Sequence, residues 1–135
     1  MNVLVVGTGS IAKRHIKNLQ ELDEVKRINI YSSRGLPSGV ISGNKVFTQE
    51  SLLNLEDVDF AIIANETHKH VPTALKLAEQ RIHLFLEKPV SHKPQEAQEL
   101  KKLTSEKSIL VFVGYNLRFL GIIQFLKREI EKGRF

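Results

Sequence analysis

Apolar residues fall in short runs of strand length: Val3–Val6, Ile28–Tyr31, Val46–Phe47, Phe60–Ala64, His83–Leu86 and Leu110–Val113. Most are continuous where alternation would signal an exposed face, and continuous runs suit parallel strands covered on both sides. Between them the spacing becomes helical. Ala12, Ile16 and Leu19 make one stripe, and Val71, Ala74, Leu75 and Ala78 follow i, i+3, i+4, i+7. Ala97, Leu100 and Leu103 make a thinner one behind Pro94, a residue suited to a first helical turn. A last stripe carries Ile122, Ile123, Leu126 and Ile130. Strand and helix alternate throughout, which predicts an α/β fold: a doubly wound parallel Rossmann sheet of about six strands with helices on both faces. The segment Ser32 to Asn44, rich in serine and glycine and holding Pro37, reads as a loop rather than a domain linker.

The first strand breaks into Gly7-Thr8-Gly9-Ser10-Ile11-Ala12. The first glycine permits a tight turn, the second lets backbone approach a pyrophosphate, and the small Ala12 lets helix and strand pack together. Amides from Ser10 onward face forward at the helix start, where the macrodipole favours an anion. A dinucleotide site commonly places an acid at the end of the second strand, but here Tyr31-Ser32-Ser33-Arg34 stands with no carboxylate nearby in the chain. Two hydroxyls and a guanidinium suit a ribose 2′-phosphate, so NADP is favoured over NAD. The plainer alternative is that these three residues only begin a polar loop.

The fifth strand ends in Glu87-Lys88-Pro89, at the edge where such sheets bind ligands. Lys88 there can donate to a substrate hydroxyl or carbonyl oxygen, or it can be an ordinary surface lysine. After the fourth strand comes Ala64 and then Asn65-Glu66-Thr67-His68-Lys69-His70. His68 and His70 do not share a helical face, and no cysteine or suitably spaced carboxylate completes a metal set, so no metal is expected. His70 reads as a helix-start residue near the nicotinamide and His68 as exposed. His15 and His83 fall within a predicted helix and strand, where packing is their expected role.

Composition narrows the class. The 135 residues are one domain's worth, and 41% hydrophobic with 26% charged is a globular balance. The net charge of +5 is scattered and forms no basic block, so nucleic acid is not an expected partner. With no long apolar stretch, no secretory signal and no cysteine, a cytoplasmic protein is expected, without membrane contact.

With these positions in hand, the chain resembles the N-terminal half of the Gfo/Idh/MocA family of oxidoreductases. The resemblance runs through Gly7 to His15, His70, Glu87-Lys88-Pro89, and Tyr115-Asn116-Leu117-Arg118-Phe119. It implies NAD(P)-dependent hydride transfer at a hydroxyl-bearing carbon of a sugar, cyclitol or nucleotide sugar. By the same resemblance, Lys88 would be the catalytic residue, touching the reacting oxygen. Glu87 would meet the nicotinamide ribose and Arg118 would lie near the substrate and domain junction. Gly7, Thr8, Gly9, Ser10, Ile11, Ser32, Ser33, Arg34, Ala64, Asn65, His70, Glu87 and Lys88 form the expected cofactor set. Residues 1–120 would be the dinucleotide domain and 121–135 a connecting helix toward a C-terminal domain that builds homo-oligomers. Without that domain the chain alone is expected to be inactive.

The sequence departs from the family's pattern at Asn65-Glu66-Thr67, which stands for a Thr-Pro-Asn turn. Arg81 stands where a glycine is usual, and Gly121 where a proline is frequent. Two further readings remain open: a non-catalytic dinucleotide-binding or protein-interaction module, and an NAD-dependent glycosidase of the same family.

Overall fold

The computed structural model describes residues 1–35 and 43–134, so the middle of the predicted loop and Phe135 lie outside the described residues. The strands are β1 (Asn2–Val6), β2 (Arg27–Tyr31), β3 (Val46–Thr48), β4 (Phe60–Ile63), β5 (His83–Leu86) and β6 (Val111–Val113). They form one sheet in the order β3-β2-β1-β4-β5-β6, every pair parallel. The helices are α1 (Ser10–Gln20), α2 (His70–Glu79), α3 (Pro94–Glu106) and α4 (Gly121–Glu131). The doubly wound Rossmann arrangement read from the alternating runs is the one observed.

Why the runs had to be continuous is visible in β1. Val3 and Val5 pack on one face with Ala12, Ile16 and Leu19 of α1. Leu4 and Val6 pack on the other with Val71, Ala74 and Leu77 of α2 and Leu100 of α3. A strand with two wet faces would alternate. This one cannot, because each side chain enters a core. All four of these β1 residues are essentially inaccessible, so truncating Leu4 to alanine should cost about 2–5 kcal/mol.

The two faces are not equally covered. Leu84 and Leu86 of β5 are buried against the α2–α3 layer, whereas Phe112 on the edge strand β6 is 67% exposed on the side toward α1. Helix α4 leaves its predicted stripe in solvent: Ile122, Ile123, Leu126 and Ile130 are all exposed, and its main contact among the described elements is the short 3-10 turn Asn116–Phe119 before it. No helix of the described residues is long and apolar enough to cross a membrane.

The site is made by register. β1 pairs β2 and β4 so that Val6 lies beside Tyr31 and Ile63, which brings three carboxyl ends level. Gly7 N–H then donates to the Tyr31 carbonyl at 2.8 Å and Ala64 N–H to the Val6 carbonyl at 2.9 Å, fixing the turns that follow.

Candidate functional site

The level strand ends open into a cleft of about 310 Å³ walled by Gly7 to Ile11, Tyr31 to Arg34, and Ala64 to Glu66. Gly7 has φ +117°, and a Cβ there would sit 2.5 Å from the Ala64 carbonyl oxygen. Only glycine turns the chain this way and passes that carbonyl. Ala12 is fully buried, so α1 starts close against the sheet. Its first turn carries no acidic residue and no side-chain cap, which leaves the leading amides directed at the cleft. A Cβ added at Gly9 would meet nothing within 4 Å. Asn65 donates from Nδ2 to Thr73 Oγ1 at 3.0 Å, while its Oδ1 is buried without a protein partner. An anion-ready helix start, open space before Gly9 and an unpaired buried acceptor fit the diphosphate and sugar of a dinucleotide.

At the β2 end of the cleft, Ser32 Oγ accepts from the Arg34 amide at 3.3 Å, so the serine organises its own turn. The Arg34 guanidinium is paired with the Glu66 carboxylate, which Lys69 also reaches at 3.3 Å. This corrects the expectation that no carboxylate lies near the Ser32-Ser33-Arg34 segment. None is close in sequence, but the loop after β4 delivers Glu66 to the same wall. A hydrogen bond from its own backbone amide, then Lys69 and Arg34, hold the Glu66 carboxyl below the usual carboxylate range.

Beyond Ile11 lies a second cavity of about 310 Å³, lined by residues that include Arg14, His15, Phe85, Glu87, Gly114, Tyr115 and Arg118. Here His15 is more than a packing residue, against the expectation for it. Its Nε2 donates to Glu87 Oε1 at 2.7 Å, and its ring meets Phe85 edge-on at 5.4 Å. Glu87 is 9% exposed, and its carboxylate lies 3.2–3.3 Å from where a Cβ of Gly114 would be, so the absent side chain makes its room. His83 also departs from its expected packing role. It is exposed at the start of β5, where its Nδ1 accepts the Leu110 amide at 3.2 Å.

Lys88 is exposed and borders neither cavity, but the backbone on both sides of it is fixed. Its amide donates to Glu87 Oε2 at 3.3 Å, and the Pro89 carbonyl lies 2.9 Å from His70 Nδ1. His70 is 2% exposed, and its Nε2 lies 3.0 Å from the Asn65 carbonyl. His70 therefore joins the loop after β4 to the loop after β5 and does not itself line the cleft. His68 is exposed. Among the described residues no cluster of three or more metal-ligating side chains is assembled.

Of the expected site residues, the structure gathers Gly7 to Ile11, Ser32 to Arg34, Ala64 and Asn65 of the cofactor set in the first cavity, and Glu87 of that set with the expected substrate residue Arg118 in the second. A sheet of this order with a glycine turn at its C-terminal edge is the setting of a known family. The family described as "Oxidoreductase family, NAD-binding Rossmann fold", GFO_IDH_MocA, matches residues 1–115. The chain belongs to this family. An uncharacterized oxidoreductase of Bacillus subtilis, YrbE, is 27% identical over 134 residues, covering 96% of this chain and 39% of that protein. The myo-inositol 2-dehydrogenase of Thermotoga maritima is 23% identical over 138 residues, covering 98% of this chain and 41% of that protein. The structure of UDP-N-acetylglucosamine 3-dehydrogenase from Acidithiobacillus ferrooxidans superposes with a TM-score of 0.81 at 21% identity, over 95% of this chain and 41% of that one. The chain thus spans about two-fifths of the length of the curated relatives it matches. It is an NAD(P)-binding Rossmann domain of the Gfo/Idh/MocA oxidoreductases.

Proposed function

We propose that this domain serves an oxidoreductase that moves hydride to or from a hydroxyl-bearing carbon of a sugar, cyclitol or nucleotide sugar, with NADP preferred over NAD. The observation that carries the reading is the first cavity. Its glycine turn admits no side chain at Gly7, its helix start has no internal counter-ion, and its wall holds the unpaired Asn65 Oδ1. The diphosphate falls to Gly7, Thr8, Gly9, Ser10 and Ile11, and the adenosine ribose to Ser32, Ser33 and Arg34. Ala64 and Asn65 face the middle of the cofactor. His70 contributes by holding the Asn65 and Pro89 carbonyls. When bound, the nicotinamide supplies the hydride acceptor or donor.

Lys88 is the group that donates to or accepts from the reacting oxygen, and Glu87 beside it faces the nicotinamide ribose. Arg118, in the second cavity, faces substrate. The cyclitol class is supported by the myo-inositol 2-dehydrogenase among the relatives. Residues 1–120 form the cofactor unit, and 121–135 lead into a second domain that completes the substrate wall and joins copies into an oligomer. Support for this boundary comes from the solvent-facing apolar stripe of α4 and from the relatives' greater length.

Calorimetric titration of the chain with NADPH and NADH tests the reading. Saturable heat with tighter NADPH binding is expected. No heat and no displacement at millimolar cofactor would overturn it.

A further inference from the structure

We propose that Glu66 sets the strength of 2′-phosphate recognition by competing with the cofactor for Arg34. This rests on the assignment of the first cavity to a dinucleotide with its adenosine ribose at the β2 end. In that cavity Arg34 comes from the turn after β2 and Glu66 from the turn after β4, so their contact spans the cleft wall between two loops. Glu66 also reaches Lys69 at 3.3 Å, one turn along the same segment. The trio of Arg34, Lys69 and Glu66 carries two positive charges and one negative, so one positive charge remains for a ligand.

A 2′-phosphate must take the Arg34 guanidinium from the Glu66 carboxylate. Lys69 makes that exchange feasible, because it keeps a cation beside Glu66 after Arg34 has turned to the phosphate. A ribose bearing a 2′-hydroxyl makes no such demand, and the Arg34–Glu66 pair stays closed beside it. Glu66 is an effective competitor because it is ionised throughout the neutral range, its carboxyl lying below the usual carboxylate range. The pair is also solvent-facing, with the Arg34 side chain 78% and the Glu66 side chain 34% exposed. Its grip is therefore of the size of a surface ion pair, large enough to tune a preference and too small to forbid one.

Glu66→Gln removes the competitor and keeps the shape of the side chain. In the full chain at low salt, it should tighten NADPH about three- to fivefold and leave NADH within about twofold. Lys69→Met, which leaves Glu66 only Arg34 to pair with, should loosen NADPH by a similar factor, and both changes should fade near 1 M salt. If NADPH affinity in Glu66→Gln is unmoved or weaker while the unaltered chain binds both cofactors, the competition is overturned and the cavity assignment stands. A loss confined to NADH would likewise overturn it, by showing Glu66 to be a ribose acceptor. If the unaltered chain binds neither cofactor, the cavity assignment itself fails and this proposal fails with it.

Discussion

The two ends of the sheet's carboxyl edge are built on different physics. At the β5 end, Glu87 is held by the half-buried His15 against a glycine, and the buried His70 bridges two backbone carbonyls of neighbouring loops. At the β2 end, Arg34, Glu66 and Lys69 meet as exposed ion pairs. The first arrangement is directional and largely shielded, so displacement of one partner leaves polar atoms poorly solvated. The second is wet and weakly directional, so its members can be exchanged at little cost. On the function proposed above, position would matter at the end where hydride moves, and charge would suffice at the end where a phosphate is favoured.

That contrast can be broken most decisively at Lys88. Its side chain is exposed and supports no packing, so Lys88→Ala in the intact enzyme should leave stability unchanged and lower kcat by about 10²–10⁴-fold, with cofactor affinity little altered. Steady-state kinetics beside a thermal melt would check both halves, and an unchanged kcat would remove Lys88 from the reaction. Next in size is His70→Ala, which removes the buried ring lying between the Pro89 and Asn65 carbonyls and should cost about 2–4 kcal/mol of stability. Urea denaturation showing less than about 0.5 kcal/mol would mean the β5 end is no more rigid than the other.

Arg34→Glu attacks the wet end. It should weaken NADPH relative to NADH by about tenfold, a ratio measurable by titration, while the melting temperature hardly moves because the pair is exposed. An unmoved ratio would detach the Ser32-Ser33-Arg34 turn from phosphate recognition. The smallest effect is expected far from both ends. Arg81 has φ +63° just before β5, the left-handed conformation that explains why a glycine is usual there. Arg81→Gly should raise stability by up to about 1 kcal/mol, relief of backbone strain being partly offset by a freer unfolded chain. A melt shifted downward would show that the strain is already relieved by contacts of the arginine.

Much of the architecture was legible beforehand. The unbroken runs of β1, β4 and β5 announced strands covered on both faces, and the i, i+3, i+4, i+7 stripe of α2 announced its buried side. Gly7 marked the turn because few other backbones can pass so close to a neighbouring carbonyl, and Gly9 marked the open space beyond it. The pairings within the site were less accessible. His15 and Glu87 lie 72 positions apart, and the histidine in α1 looked like any other helix residue on a half-buried face. Its one available signal was that it lies on the same helix that opens at Gly9, near the ligand edge of the sheet. Glu66 lies 32 positions beyond Arg34, so the turn after β2 gives no sign of the carboxylate that the loop after β4 brings to it.

Local periodicity and glycine placement are properties of the chain itself, because helix and strand are chosen by which residues can share a face within a few positions. These determined the alternating elements, the parallel sheet and the glycine turn after β1. Which charge meets which, and which histidine stays dry, depend on distances between loops that only the strand order β3-β2-β1-β4-β5-β6 brings together. Coulomb and hydrogen-bond energies act over ångströms of space and take no account of separation along the polypeptide. The tertiary structure therefore decided the Arg34–Glu66 and His15–Glu87 pairs, and with them the different character of the two ends of the sheet's carboxyl edge.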